Sequence, residues 1–162
     1  MGISFLSSDY TWLPLAIQKA YYLWVMKQGI VRIRWKRGCY IMYEWEKLDH
    51  VLLACPNGGE QQAREFYQGI LEMEELEKPE PLKERGGVWF QLGEVQLHIG
   101  VEVSFSPAKK AHPAIRIKNI HLLMKMLDEK NVAYQLDADL PGASRFYIHD
   151  PFGNRLEFLE WL

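Results

Sequence analysis

The sequence predicts an α+β protein in which a β-α-β-β-β unit occurs twice in tandem. Two observations carry that prediction. From Lys47 onward, short runs of β-branched and aliphatic residues alternate with clusters of Gly, Pro and Asn, the pattern of strands and their turns. One segment with helical spacing follows the first strand run of each half, so the order of elements after residue 111 repeats the order after residue 47. A chain of 162 residues has room for one domain built from two such modules.

In the first module, about 47–104, Leu48 to Cys55 reads as a strand and Pro56-Asn57-Gly58-Gly59 as the turn that ends it. Glu60 to Leu71 reads as a helix: an acid lies in its first turn, and Ala63, Phe66, Tyr67 and Ile70 share one face. Strands are expected at Met73 to Lys78, Gly87 to Leu92 and Glu94 to Val103, the last two joined through Gly93. In the second module, about 111–162, the expected order is a strand at His112 to Lys118, a helix at Ile120 to Lys130 with Leu123, Met124 and Leu127 inward, and a strand at Ala133 to Asp137. Two more strands, Arg145 to His149 and Arg155 to Trp161, are joined by Asp150-Pro151-Phe152-Gly153-Asn154. There proline sets φ, and Gly and Asn tolerate positive φ.

Residues 1–46 form a separate segment, rich in aromatic and basic residues. It holds Trp12, Trp24, Trp35 and Trp45, and a basic run from Lys27 through Arg32, Arg34, Lys36 and Arg37. Leu15 to Lys27 can be drawn as a short, poorly amphipathic helix. Basic residues interleaved with aromatics can stack on single-stranded nucleic acid, but an extension packing on the main domain is the simpler expectation. Met42 is also a possible translation start, just before the repeated part.

Composition narrows the function. At 48% hydrophobic and 25% charged residues the chain is ordinary for a globular protein, and a net charge of −2 gives no general attraction to nucleic acid. Cys39 and Cys55 are too few for a disulfide framework and suit a reducing compartment. The apolar run Trp12 to Val31 is interrupted by Gln18, Lys19, Lys27 and Gln28, so no membrane span is expected, and the start lacks the positive charge of a secretory signal. A cytoplasmic protein is the expectation.

The repeat places potential metal ligands at equivalent points. His50 and His112 open the first strands of the two modules, and His98 and Glu157 occupy matching positions in the last strands, Val95 to Ile99 and Asn154 to Phe158. Strand alternation turns each away from its large aliphatic neighbours, so all four are expected to line a concave face. Three imidazoles and one carboxylate suit Zn²⁺, Ni²⁺, Co²⁺, Fe²⁺ or Mn²⁺. Singly, each is more often a surface or hydrogen-bonded residue; the joint placement makes them a candidate site. Arg116 projects to the face of His112, and Arg145, Lys109 and Lys110 lie at strand ends or loops, so Arg116 and Arg145 are weaker candidates for an anionic substrate group. His121, His149 and Glu160 are expected at the surface.

The strings KLDHVLLACP, EQQAREFYQGIL, VQLHIGVE, AHPAIRI and RFYIHDPFGNRLEFLE resemble the glyoxalase/bleomycin-resistance/dioxygenase (vicinal oxygen chelate) superfamily over about 115 residues. The closing aromatic, Asp-Pro-x-Gly-Asn and Leu-Glu string is the most specific. The resemblance implies paired βαβββ modules in a cupped, partly open barrel spanning 47–162. It implies one divalent metal ion on His50, His98, His112 and Glu157, with Glu157 also able to act as a catalytic general base, and a homodimer whose modules pair within or between chains. The implied function is a metal-dependent lyase, isomerase or transferase of glyoxalase I type on a small oxygen-chelating substrate. A metal-free protein that sequesters an antibiotic or metabolite is the alternative. Several activity-specific residues depart from the family pattern: His98 stands where glyoxalase I commonly has glutamate, Leu52 where the fosfomycin enzymes have threonine, and Ala138 to Leu140 where the dioxygenases have histidine.

Overall fold

The computed structural model describes residues 45–162, the backbone of two short strands, β1 (Arg34–Lys36) and β2 (Cys39–Ile41), and the helical residues Ile17 and Ala20. The chain divides into two units, Met1–Lys47 and Leu48–Leu162. In the first, β1, within the basic run, pairs antiparallel with β2, just after it, with Trp35 opposite Tyr40. The remainder of the helix expected at Leu15 to Lys27 lies outside the described residues.

The second unit follows the duplicated plan. Its first half runs β3 (His50–Cys55), α1 (Glu60–Ala63, continuing as a π-helix over Arg64–Ile70), β4 (Glu75–Leu76), α2 (Glu80–Lys83), β5 (Val88–Leu92) and β6 (Val95–Val101). Its second half runs β7 (Ala114–Arg116), α3 (Ile120–Glu129), β8 (Gln135–Asp137), β9 (Ala143–His149) and β10 (Arg155–Trp161). The sheets are two open four-stranded arrays of the same order, β3-β6-β5-β4 and β7-β10-β9-β8. In each, the first and last strands pair in parallel and the remaining pairs are antiparallel.

One face of each sheet is apolar because every second residue is aliphatic or aromatic. In the first sheet Val51, Leu53, Val88, Phe90, Leu97 and Ile99 share that face, and Ala63, Phe66, Tyr67 and Ile70 of the α1 segment pack with them. In the second, Ile115, Phe146, Ile148, Leu156 and Phe158 pack with Ile120, Leu123, Met124 and Leu127 of α3. The buried ones form a single cluster, and Val51, Leu53, Ile70, Leu123 and Met124 pack against it partly buried.

Polar contacts join the halves. The Tyr67 hydroxyl donates to Asp150 Oδ2 at 2.8 Å, and Asn154 Nδ2 donates to the Ala54 carbonyl at 2.8 Å. Lys130 Nζ donates to the carbonyls of Gly69 and Ile70 at 2.9 and 3.1 Å, where the α1 segment ends. The 150–154 turn closes as expected at Gly153, whose φ is 87°. Asn154 serves differently from the expectation: only its side chain is specialised, bonding Asp150 Oδ2 and Ala54, while its backbone stays at negative φ.

Several boundaries differ from the sequence pattern. Met73 to Lys78 contracts to the two-residue β4, and α2, begun after Pro79, was not anticipated. The strand expected from His112 begins at Ala114, so His112 lies just ahead of it, after Lys110 and Ala111. Among the described residues no helix is long and apolar enough to cross a membrane.

Candidate functional site

The faces opposite the apolar ones carry the chemistry. Register makes the two sheets equivalent there: Leu52 pairs with His98 and Trp89 with His98, while Ala114 pairs with Glu157 and Tyr147 with Glu157. His50 therefore stands two residues before the partner of His98, and His112 two residues before the partner of Glu157.

In the first sheet His50 and His98 stack with ring centroids 4.3 Å apart, and Trp89 stacks on the other side of His98 at 3.9 Å. His98 is buried, so desolvation, with a smaller contribution from the His50 charge, pushes its pKa down and favours the neutral ring. His50 Nδ1 donates to Asp49 Oδ1 at 2.8 Å, which leaves Nε2 with its lone pair free. His98 Nε2 donates to Gln96 Oε1 at 2.9 Å. Because the two imidazoles are nearly parallel, 14° apart, their in-plane lone pairs run side by side; convergence on one ion requires one ring to turn.

In the second sheet His112 Nε2 donates to Glu157 Oε2 at 2.9 Å. Glu157 is buried, and Arg145 Nη1 lies 3.6 Å from its other oxygen. Arg145 is also paired through Nη2 with Asp137 at 2.9 Å, and that bond is the main reason its pKa rises. Its Nε is buried without a hydrogen-bond partner. The Tyr147 phenol is pushed up in pKa by desolvation and then by the Glu157 charge. Its ring meets His112 edge-on at 5.5 Å between two guanidiniums, Arg155 at 5.0 Å and Arg145 at 5.7 Å.

The four residues picked out by the repeat thus occur as two pairs, His50 with His98 and His112 with Glu157. Among the described residues no three histidine, cysteine, aspartate or glutamate side chains gather to hold a metal ion. Arg116 is exposed and lines a shallow depression with Ile117, Lys118, Glu160 and Trp161. His121 and His149 are exposed. Glu160 turns to the N-terminus of α3, where it accepts from the backbone N–H groups of Asn119 and Ile120. Sequence reasoning missed Trp89, Asp49 and Arg155. Arg155 carried a signal, since alternation puts it on the face of Glu157; Trp89 had none without the strand register.

Comparisons with known proteins agree with this architecture. A solved structure from Bacillus anthracis described as a glyoxalase family protein is 44% identical, covers 75% of this chain and 100% of its own, and superposes with a TM-score of 0.73. A glyoxalase family protein from Enterococcus faecalis is 25% identical over 72% of this chain and 98% of its own, with a TM-score of 0.58. A lactoylglutathione lyase from Agrobacterium tumefaciens, 17% identical, shares the fold over 73% of this chain and 96% of its own at a TM-score of 0.58. No family model and no curated protein sequence matches the chain. The chain belongs to the glyoxalase family of the vicinal oxygen chelate superfamily.

Proposed function

We propose that the protein is a divalent-metal-dependent enzyme of glyoxalase type, a lyase, isomerase or transferase acting on a small substrate that chelates through adjacent oxygens. The observation that supports it most is the equivalence of the two pairs: His50 with His98, and His112 with Glu157, sit at the same register positions of two sheets of the same order. The donor set fits Zn²⁺, Ni²⁺, Co²⁺, Fe²⁺ or Mn²⁺, with each pair supplying half of a coordination shell. Since neither pair suffices alone, the complete shell is built in a homodimer, the first module of one protomer facing the second module of its partner. A metal ion held there would act as a Lewis acid on developing oxyanion charge. The chain's own contribution is to orient and to move a proton. Asp49 holds the His50 tautomer, Asp137 and Arg145 hold the Glu157 carboxylate, and Glu157 accepts the substrate proton as general base.

The test is elemental analysis of purified protein beside His50→Ala and His112→Ala variants, with sedimentation in parallel. About one metal per chain in a dimer, lost in either variant, is the expected outcome. A monomer with no metal after refilling would overturn the reading.

The Trp89–His98–His50 stack favours a second reading, a metal-free protein that sequesters a flat small molecule. It predicts that ligand affinity survives chelator treatment and does not rise when metal is added back.

A further inference from the structure

We infer that Arg155 forms a subsite for a carboxylate on the substrate, beside the His112–Glu157 pair. The inference rests on the metal-dependent reading above and specifies the substrate class that the site takes.

The cations near this site are engaged differently. Arg145 is shared between Asp137 and Glu157, so its charge is already compensated. Arg116 points to a separate depression. Arg155 stands two residues before Glu157 and therefore on the same face of β10. It forms no ion pair with a carboxylate among the described residues. Its Nη2 donates to the Lys110 carbonyl at 2.6 Å and lies 2.7 Å from His112 Nδ1, and its Nε lies 3.2 Å from the same nitrogen. The guanidinium lies over the Tyr147 ring, 5.0 Å from its centroid, an arrangement that orients the fork without neutralising it. It is half-buried, so a charge-assisted bond made there is less screened than one in open water.

The contact with His112 links this cation to the metal half-site. His112 Nδ1 also lies 2.7 Å from the Lys110 carbonyl oxygen. A neutral ring can accept from Arg155 or donate to Lys110 through that nitrogen, but not both. For Nε2 to offer its lone pair to a metal ion, Nδ1 must carry the proton and donate to Lys110. Arg155 Nε and Nη2 then lose His112 Nδ1 as an acceptor; one Nη2 N–H stays on the Lys110 carbonyl, and the remaining N–H groups of the guanidinium are left to pair with a planar carboxylate arriving beside Glu157. Bidentate pairing with a carboxylate is what an arginine, unlike a lysine, provides geometrically.

Two hydroxamates serve as probes on the Zn²⁺-loaded protein. Acetohydroxamate offers the two adjacent oxygens alone; succinic monohydroxamate offers the same pair with a carboxylate arm. Calorimetric titration is expected to show the second binding about tenfold more tightly, the effect of one charge-assisted hydrogen bond. Arg155→Gln is expected to keep zinc content and acetohydroxamate affinity while losing the preference, and Arg155→Lys to recover part of it. Equal binding of the two probes by wild type, or a preference that survives in Arg155→Gln, overturns the inference and leaves the metal reading standing. Loss of zinc and of acetohydroxamate in Arg155→Gln also overturns it, since Arg155 then only positions His112. Wild-type protein that takes up no zinc overturns both readings together.

Discussion

Glu160 shows how far a single side chain can act from its place in the sequence. The α3 helix begins after Asn119, which sits in the left-handed region at φ 59° and makes no side-chain cap of its own. The Glu160 carboxylate, brought in from β10, accepts from the exposed amides of Asn119 and Ile120 at 2.8 and 3.0 Å. The Ile120 and Asn119 N–H groups hold its pKa below the ordinary 4.5, so the carboxylate stabilises the folded state above that pH. The contribution is lost as pH falls through the lowered folded value. Thermal melts of Glu160→Gln are expected to show a lower midpoint than wild type near neutral pH, with the two curves meeting under acid conditions. A constant gap at every pH would show that the charge does not matter.

At the scale of elements, β5 depends on the residue that opens it. Gly87 has φ 80°, and a Cβ there would come within 2.3 Å of the Ile99 carbonyl oxygen. Backbone strain and the clash act together, so Gly87→Ala is expected to cost about 2–4 kcal/mol in urea denaturation, with little change in slope. The helical segment after Glu60 carries a different feature. It widens into a π-helix over Arg64–Ile70, and Arg64 makes a two-oxygen pair with Glu75 at 3.0 Å, linking the helix to β4. Spacing of apolar residues located this helix but not its widening, because Phe66, Tyr67 and Ile70 lie inward in both geometries.

At the scale of the second unit, the two modules are held by a buried polar clasp within a shared core. Tyr67 donates to Asp150, whose other oxygen accepts from the amides of Phe152 and Asn154. Burial pushes the Tyr67 phenol well up, with the Asp150 charge adding to the effect, so the hydroxyl keeps its proton and stays a donor. Tyr67→Phe leaves that carboxylate short of one partner and is expected to cost about 1–3 kcal/mol by chemical denaturation. The clasp joins the modules through α1 and the β9–β10 turn, away from the polar sheet faces that carry the two half-sites. A partner protomer is therefore the proposed source of the missing half-shell, and sedimentation of wild type beside Tyr67→Phe separates intermodule stability from assembly.

The sequence by itself determined the duplicated plan, since strand alternation, helix spacing and turn residues are local properties repeated in both halves. It also placed His50, His98, His112 and Glu157 at equivalent positions, because a repeat aligns by counting. Only the tertiary structure decided that they meet as two pairs, that Trp89 and Tyr147 flank them, and that Glu160 caps a helix. The pairs and their flanking rings depend on strand register and the Glu160 cap on β10 reaching the start of α3, both of which join residues far apart in the chain, and no local pattern around Trp89 or Glu160 encodes its partner. Arg155 lies between the two cases: its face was legible from its spacing to Glu157, whereas its lack of a neutralising carboxylate depended on which side chains the folded sheet brought beside it.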